Sequence, residues 1–129
     1  RTCADRYAAA LGGMDWLTPP VEPAGYGHTW QTYAVLLDAA VDRQALMTRL
    51  LERGIENSIG AHALNRIAYL EPYCGKRSFD GCERAADSAL CLPLYPTMTG
   101  DDVDRVVEAL TDCAPRCGAW PPPRAPSSA

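Results

Sequence analysis

The chain predicts a small α/β sandwich of the α+β kind, a sheet of about three strands with helices flanking it on one face. Three observations lead there. Apolar residues recur at helical spacing in four separated stretches, beginning near residues 1, 42, 80 and 100. Short aliphatic and aromatic runs fall between them, the clearest being HTWQTYAVLLD. Glycine, proline or a capping side chain stands at most junctions.

The elements follow in order. In RTCADRYAAAL, residues 1–11, Ala4, Tyr7, Ala8 and Leu11 share one helical face, and Gly12 and Gly13 end the helix. This helix opens abruptly and without a capping residue, as if an earlier part were cut away. Residues 12–28 carry Pro19, Pro20 and Pro23 and read as a linker. A strand at about 29–37 has apolar or aromatic residues on both faces and should be covered on both sides. Asp42 caps the next helix, whose buried stripe is Ala45, Leu46, Met47, Leu50 and Leu51, and Gly54 stops it. A short strand is expected near 55–59, then a segment at 60–80 that is mostly loop with one helical turn.

Asp80 and Glu83 have capping-box spacing and open a helix to about residue 90, with Ala85, Ala86, Ala89 and Leu90 inside. Cys91, Leu92 and Leu94 form a brief extended segment limited by Pro93 and Pro96. Thr99 caps the last helix, which buries Val103, Val106, Val107 and Leu110. Residues 29–117 thus make one domain. From Gly118 on, GAWPPPRAPSSA reads as a disordered Pro-rich tail, 118–129.

Composition narrows the function classes. At 129 residues, 47% hydrophobic and 22% charged, this is ordinary for one soluble globular domain. A net charge of -4 and arginines scattered singly argue against nucleic acid or an anionic membrane as partner. No apolar run approaches the ~20 residues of a membrane span, and no signal peptide pattern is present. A start at Arg1 without Met is read as a processed product, an excised domain, a truncated gene or simple trimming. The six cysteines allow fifteen pairings. With no CxxC, and with Cys82 and Cys91 expected in apolar surroundings, they read as reduced thiols of a cytoplasmic protein. A disulfide-linked secreted domain is the weaker alternative, and six titratable thiols would exclude it. Cys113 and Cys117 stand at i, i+4, but Pro115 interrupts them and no His is near, so no metal site is expected.

Candidate chemistry is sparse. The histidines are His28 and His62, and no nucleophile elbow, zinc-protease motif or phosphate-binding glycine loop is present. A self-contained hydrolase, kinase or dehydrogenase is poorly supported. Lys76, in CGKRS, is the single lysine, and its polar setting suits a solvated surface residue better than an imine-forming amine. His62 follows the second strand beside Gly60, near Asn65 and Arg66, where a loop can present polar groups to a ligand; a surface histidine is the plain alternative. His28, beside Trp30, reads as structural. Trp16, Trp30 and Tyr33 suit either stacking on a base or sugar, or the core. Arg66 suits a bidentate phosphate or carboxylate contact, or plain exposure.

Five pieces in order carry a resemblance: RTCADRYAAAL, HTWQTYAVLL, DRQALMTRLLERGIENSIGAHALNR, the following IAYLEPY, and ALCLPLYPTMTGDDVDRVVEAL. Together, over about residues 1–112, the chain resembles the C-terminal small domain of the DegT/StrS-type sugar aminotransferases. The resemblance implies the small domain of a fold type I enzyme that uses pyridoxal phosphate (PLP) to aminate a nucleotide-linked keto-sugar. It implies a homodimer in the full-length enzyme, with active sites near the subunit interface. The large domain of that family supplies the Schiff-base lysine, the acid paired with the pyridine nitrogen, and most phosphate contacts; none has a counterpart here. By resemblance, Ile59, Gly60, His62 and Asn65 lie in the loop that approaches substrate. His62 stands where an aromatic residue is common, and Asn65 where a histidine is common.

The expectation is therefore a domain that contributes substrate closure and packing, with no catalytic, cofactor-binding or metal-binding residue and no cofactor of its own. Its expected partners are the missing large domain, a second copy of the full-length enzyme and a nucleotide sugar, without nucleic acid or membrane. The alternative is a stand-alone, non-catalytic binding module derived from such an enzyme. A coding sequence that continues upstream of Arg1 into a lysine-bearing large domain separates the two.

Overall fold

The computed structural model describes residues 1–75 and 77–113. Along the chain run α1 (Thr2–Leu11), β1 (Leu17–Thr18), β2 (Tyr33–Leu37), α2 (Arg43–Glu52) and β3 (Ser58–Ile59). Two 3-10 turns (Leu64–Arg66 and Ala68–Leu70) lead into α3 (Glu71–Cys74), followed by α4 (Asp80–Ser88), β4 (Ala89–Leu92) and α5 (Gly100–Cys113).

The four strands form one antiparallel sheet in the order β1-β2-β4-β3. Tyr33 opposes Leu92 and Val35 opposes Leu90, so the pleat turns Tyr33, Val35, Leu37, Leu90 and Leu92 into one buried cluster. Onto it pack Tyr7 and Leu11 of α1, Leu46 and Leu50 of α2, and Val103, Val106 and Leu110 of α5. The result is the expected sandwich, a mixed sheet-and-helix domain whose core lies on one face of the sheet. On the opposite face Ala34, Leu36 and Cys91 are half-buried.

Local chemistry accounts for the boundaries. The Asp42 carboxylate accepts the Ala45 N–H at 3.0 Å and caps α2. Gly54, at φ +74, supplies the left-handed residue that ends it. At α5, Thr99 Oγ1 accepts from the Asp102 N–H at 3.2 Å while the Asp102 carboxylate accepts from the Thr99 N–H at 2.9 Å, a reciprocal box.

Several expectations are corrected. The strand expected from residue 29 begins at Tyr33, because Trp30 takes φ +52 and breaks the extended path. The 12–28 segment contributes β1, with Leu17 opposite Leu37. Ala8 and Leu51 face solvent, Leu51 at 63% exposure, because both α1 and α2 bury a narrower stripe than their apolar content allows. The helix expected to reach residue 90 stops at Ser88, since Ala89 and Leu90 find better partners opposite Leu36 and Val35 of β2. Its cap lies one residue earlier than expected: Glu83 reaches back to the Phe79 N–H at 3.0 Å, and Asp80 sits inside the first turn. Cys82 is exposed rather than apolar in setting, and Cys3, Cys82, Cys91 and Cys113 are free thiols. Among the described residues between 60 and 80 there are three short helical turns, not one. Lys76, Cys117 and the 118–129 tail lie outside the described residues.

Candidate functional site

The loop after β3 is built on a close approach. The Gly60 N–H donates to the Ala89 carbonyl at 3.2 Å, continuing the β3–β4 ladder by one rung. A Cβ at position 60 would stand 2.7 Å from Ala89 Cβ and 3.4 Å from Ala34 Cβ. Only a residue without a side chain lets the backbone cross the sheet there.

Beyond Gly60 the chain is tied to α4. Asn65 Nδ2 donates to the Arg77 carbonyl at 3.1 Å and to Glu83 Oε1 at 2.9 Å. Arg66 holds Asp87 in a bidentate pair at 2.5 and 3.1 Å and reaches Glu83 at 3.1 Å. Arg66 is thus neither uncommitted nor open to a ligand phosphate; it is spent on two carboxylates of α4. Glu83 collects the Phe79 N–H, the Asn65 amide, the Arg66 guanidinium and the Ser78 hydroxyl, in that order of influence, and they hold its carboxyl down to about 2. The signal for this network was present in the sequence: Glu83 and Asp87 stand at i, i+4 on α4 and share one helix face.

The four residues expected to approach substrate are therefore placed as follows. Ile59 ends β3, 38% exposed; Gly60 is packed on Ala89; His62 is exposed; and Asn65 is half-buried with both amide hydrogens engaged. Around them the segment displays Leu64, Ile67, Tyr69 and Tyr73, the last two at 79% and 78% exposure.

The aromatic residues divide. Tyr33 is fully buried and stacks between Tyr7 (centroids 4.8 Å apart) and Trp30 (5.7 Å), and Trp30 stacks on His28 at 4.2 Å. His28 Nδ1 accepts the Trp30 N–H at 2.9 Å, and its own N–H donates to Glu22, which also holds Arg1. His28 is thus a structural latch on the segment before β2. Trp16 lines a separate cavity of about 650 Å³ with Leu36, Asp38 and Arg84.

PLP requires a lysine amine and a cradle for its phosphate. Lys76 lies outside the described residues, and the loop 60–66 commits its one arginine to α4. Among the described residues, no group of three or more metal-ligating side chains converges, and no helix is long and apolar enough to cross a membrane.

Comparison with known proteins places this arrangement. The aminotransferase TlmJ from Streptoalloteichus hindustanus superposes with a TM-score of 0.77 at 33% identity, over 88% of this chain and 30% of that one. The sugar aminotransferase CalS13 from Micromonospora echinospora gives 0.74 at 26%, over 87% and 29%. NtdA from Bacillus subtilis, solved with bound PMP, gives 0.73 at 25%, over 87% and 27%. The chain thus spans about 30% of the length of the first structures it matches. The family model for the DegT/DnrJ/EryC1/StrS aminotransferases matches residues 1–111, and the chain belongs to that family.

Proposed function

We propose that this chain is the small domain of a PLP-dependent aminotransferase acting on a nucleotide-linked keto-sugar. In that role it helps close the site over substrate and packs against the large domain and a second subunit, while covalent chemistry resides on residues outside it. The observation that carries the reading is the family match along residues 1–111, made by a chain with a single lysine, Lys76. Ile59, Gly60, His62 and Asn65 form the substrate-facing edge: Gly60 lets the backbone turn across Ala89, Asn65 and Arg66 hold the loop on α4, and the His62 ring is left to meet a ligand.

The direct test is spectroscopic. The purified chain mixed with PLP should keep the absorption of the free aldehyde, with no visible band of a protein aldimine and no transaminase turnover on a keto-sugar nucleotide. A borohydride-trapped adduct at Lys76 together with turnover would overturn the proposal. The exposed Leu64, Ile67, Tyr69 and Tyr73 supply a second expectation. Sedimentation should show concentration-dependent self-association, weakened when Tyr69 and Tyr73 are changed to serine. A monomer at every concentration would count against a docking role for this face.

Acid should loosen the loop before the core. Glu83 is held at about 2 against an ordinary 4.5, so its bonds stabilise the fold fully above about 4.5 and are lost as pH falls toward 2. Proteolysis between residues 60 and 79 should therefore accelerate across that window, and Glu83→Gln should show the acceleration already at neutral pH. An unchanged cleavage rate in the variant would refute the bracing role.

A further inference from the structure

A second cavity, of about 500 Å³, opens between the end of α2 and the first turns of α5. Its walls come from the turn after α2, the segment after β4 and α5, and none of them belongs to the proposed substrate loop after β3. Its floor is apolar: Ile55, Met98 and Val106 are each less than one-tenth exposed. Gly54, at φ +74, makes the turn that brings Ile55 and Glu56 to this place. The rim carries the half-exposed Tyr95 ring, the Arg105 guanidinium and the Glu56 carboxylate. Apolar walls with a few polar groups at a volume of roughly 300–1,000 Å³ are the usual make-up of a small-molecule site.

The rim charges differ in how far they are committed. Asp102 also lines the cavity, but its carboxylate is taken by the Thr99 N–H at 2.9 Å and the Thr99 hydroxyl at 2.7 Å. Glu56 and Arg105 are exposed, and Arg105 acts on Asp102 through charge, helping to hold that carboxyl below its usual range. Arg1, Arg6, Arg53 and Arg66, by contrast, are each paired with a carboxylate. Charge decides the ligand class. A simple anion would meet Glu56 and Asp102, a simple cation would meet Arg105, and a neutral apolar molecule would cover charges without compensating them. A zwitterion with an apolar body satisfies all three constraints.

We propose that this cavity binds a free α-amino acid with an apolar side chain, its carboxylate on Arg105, its ammonium on Glu56, and its side chain against Ile55, Met98 and Val106 beside Tyr95. The site does not depend on the chain's role in sugar amination, and its test involves neither PLP nor a sugar.

The test is a titration of the 129-residue chain with L-leucine, followed by amide NMR, with N-acetyl-leucine amide, which lacks both charges, as the control. Saturable shifts at Ile55, Met98 and Val106 are expected, with a Kd on the order of 1 mM or tighter. The control compound should bind at least about tenfold more weakly, since it loses two charge-assisted contacts. Arg105→Gln and Glu56→Gln should each weaken leucine at least about tenfold. Both side chains are on the surface, so dispersed spectra will show that the variants remain folded. A leucine-dependent rise in Tm is the independent readout. Absence of saturable shifts and of a Tm rise, equal binding of the control compound, or unchanged affinity in both variants would each overturn the site.

Discussion

Tyr33→Ala is expected to remove about 3–5 kcal/mol of stability, the range for truncating a large buried aromatic. Against a total of about 5–15 kcal/mol for a domain, that is enough to leave a substantial unfolded population. Tyr33 is fully buried on the central strand β2, faces Leu92 across the ladder, and is sandwiched between Tyr7 and Trp30. Its loss opens a cavity bordered by both α1 and the segment before β2, which cannot collapse together.

The phenol itself behaves differently from the ring. Among the described residues the Tyr33 hydroxyl has no hydrogen-bond partner, and burial pushes its ionisation up to about 12. Tyr33→Phe removes an unsatisfied group and should be neutral or stabilising by about 1 kcal/mol. Tyr7→Phe should cost about 1 kcal/mol, because the Tyr7 hydroxyl donates to the Pro93 carbonyl at 3.0 Å. Urea denaturation of the three variants checks the set; Tyr33→Phe losing more than Tyr7→Phe would contradict it.

Gly60→Ala is expected to cost about 1–3 kcal/mol, a large effect for one methyl group on an exposed residue. The added Cβ would meet Ala89 Cβ at 2.7 Å, and a Cβ on a strand cannot swing aside as a long side chain can. Removing the opposing methyl tests the cause. In the double variant Gly60→Ala/Ala89→Gly the penalty should fall by at least about 1 kcal/mol relative to the sum of the single changes. A cost for Gly60→Ala within about 0.5 kcal/mol, the usual range for surface substitutions, would show that the loop shifts freely at this point.

Much of the architecture was legible in the chain. Asp42 and Thr99 cap as read, Gly54 stops α2, and Val103, Val106 and Leu110 line α5. These are local events: a capping side chain meets a backbone amide three residues away, and a helix face repeats every 3.6 residues. The errors are non-local. Ala89 and Leu90 continue the helical spacing of α4, yet their backbone joins β2. Leu17 and Thr18 sit in a proline-bearing segment and become a strand because Leu37 and Leu36 lie opposite.

The site divides along the same line. The loop after the second strand was visible from Gly60, His62 and Asn65 in the sequence, and the family from the order of five segments. That Glu83 and Asp87 share one face of α4 was visible in their spacing, but that Arg66 is the partner they hold was not, because a guanidinium has no sequence periodicity to reveal its partner. The amino acids alone determined the caps of α2 and α5, the buried stripe of α5 and the family. The packed molecule alone decided which strands pair and which charges are consumed. Hydrogen bonds and helix faces within a few residues follow from chain geometry, whereas pairing across tens of residues depends on what the folded core brings side by side.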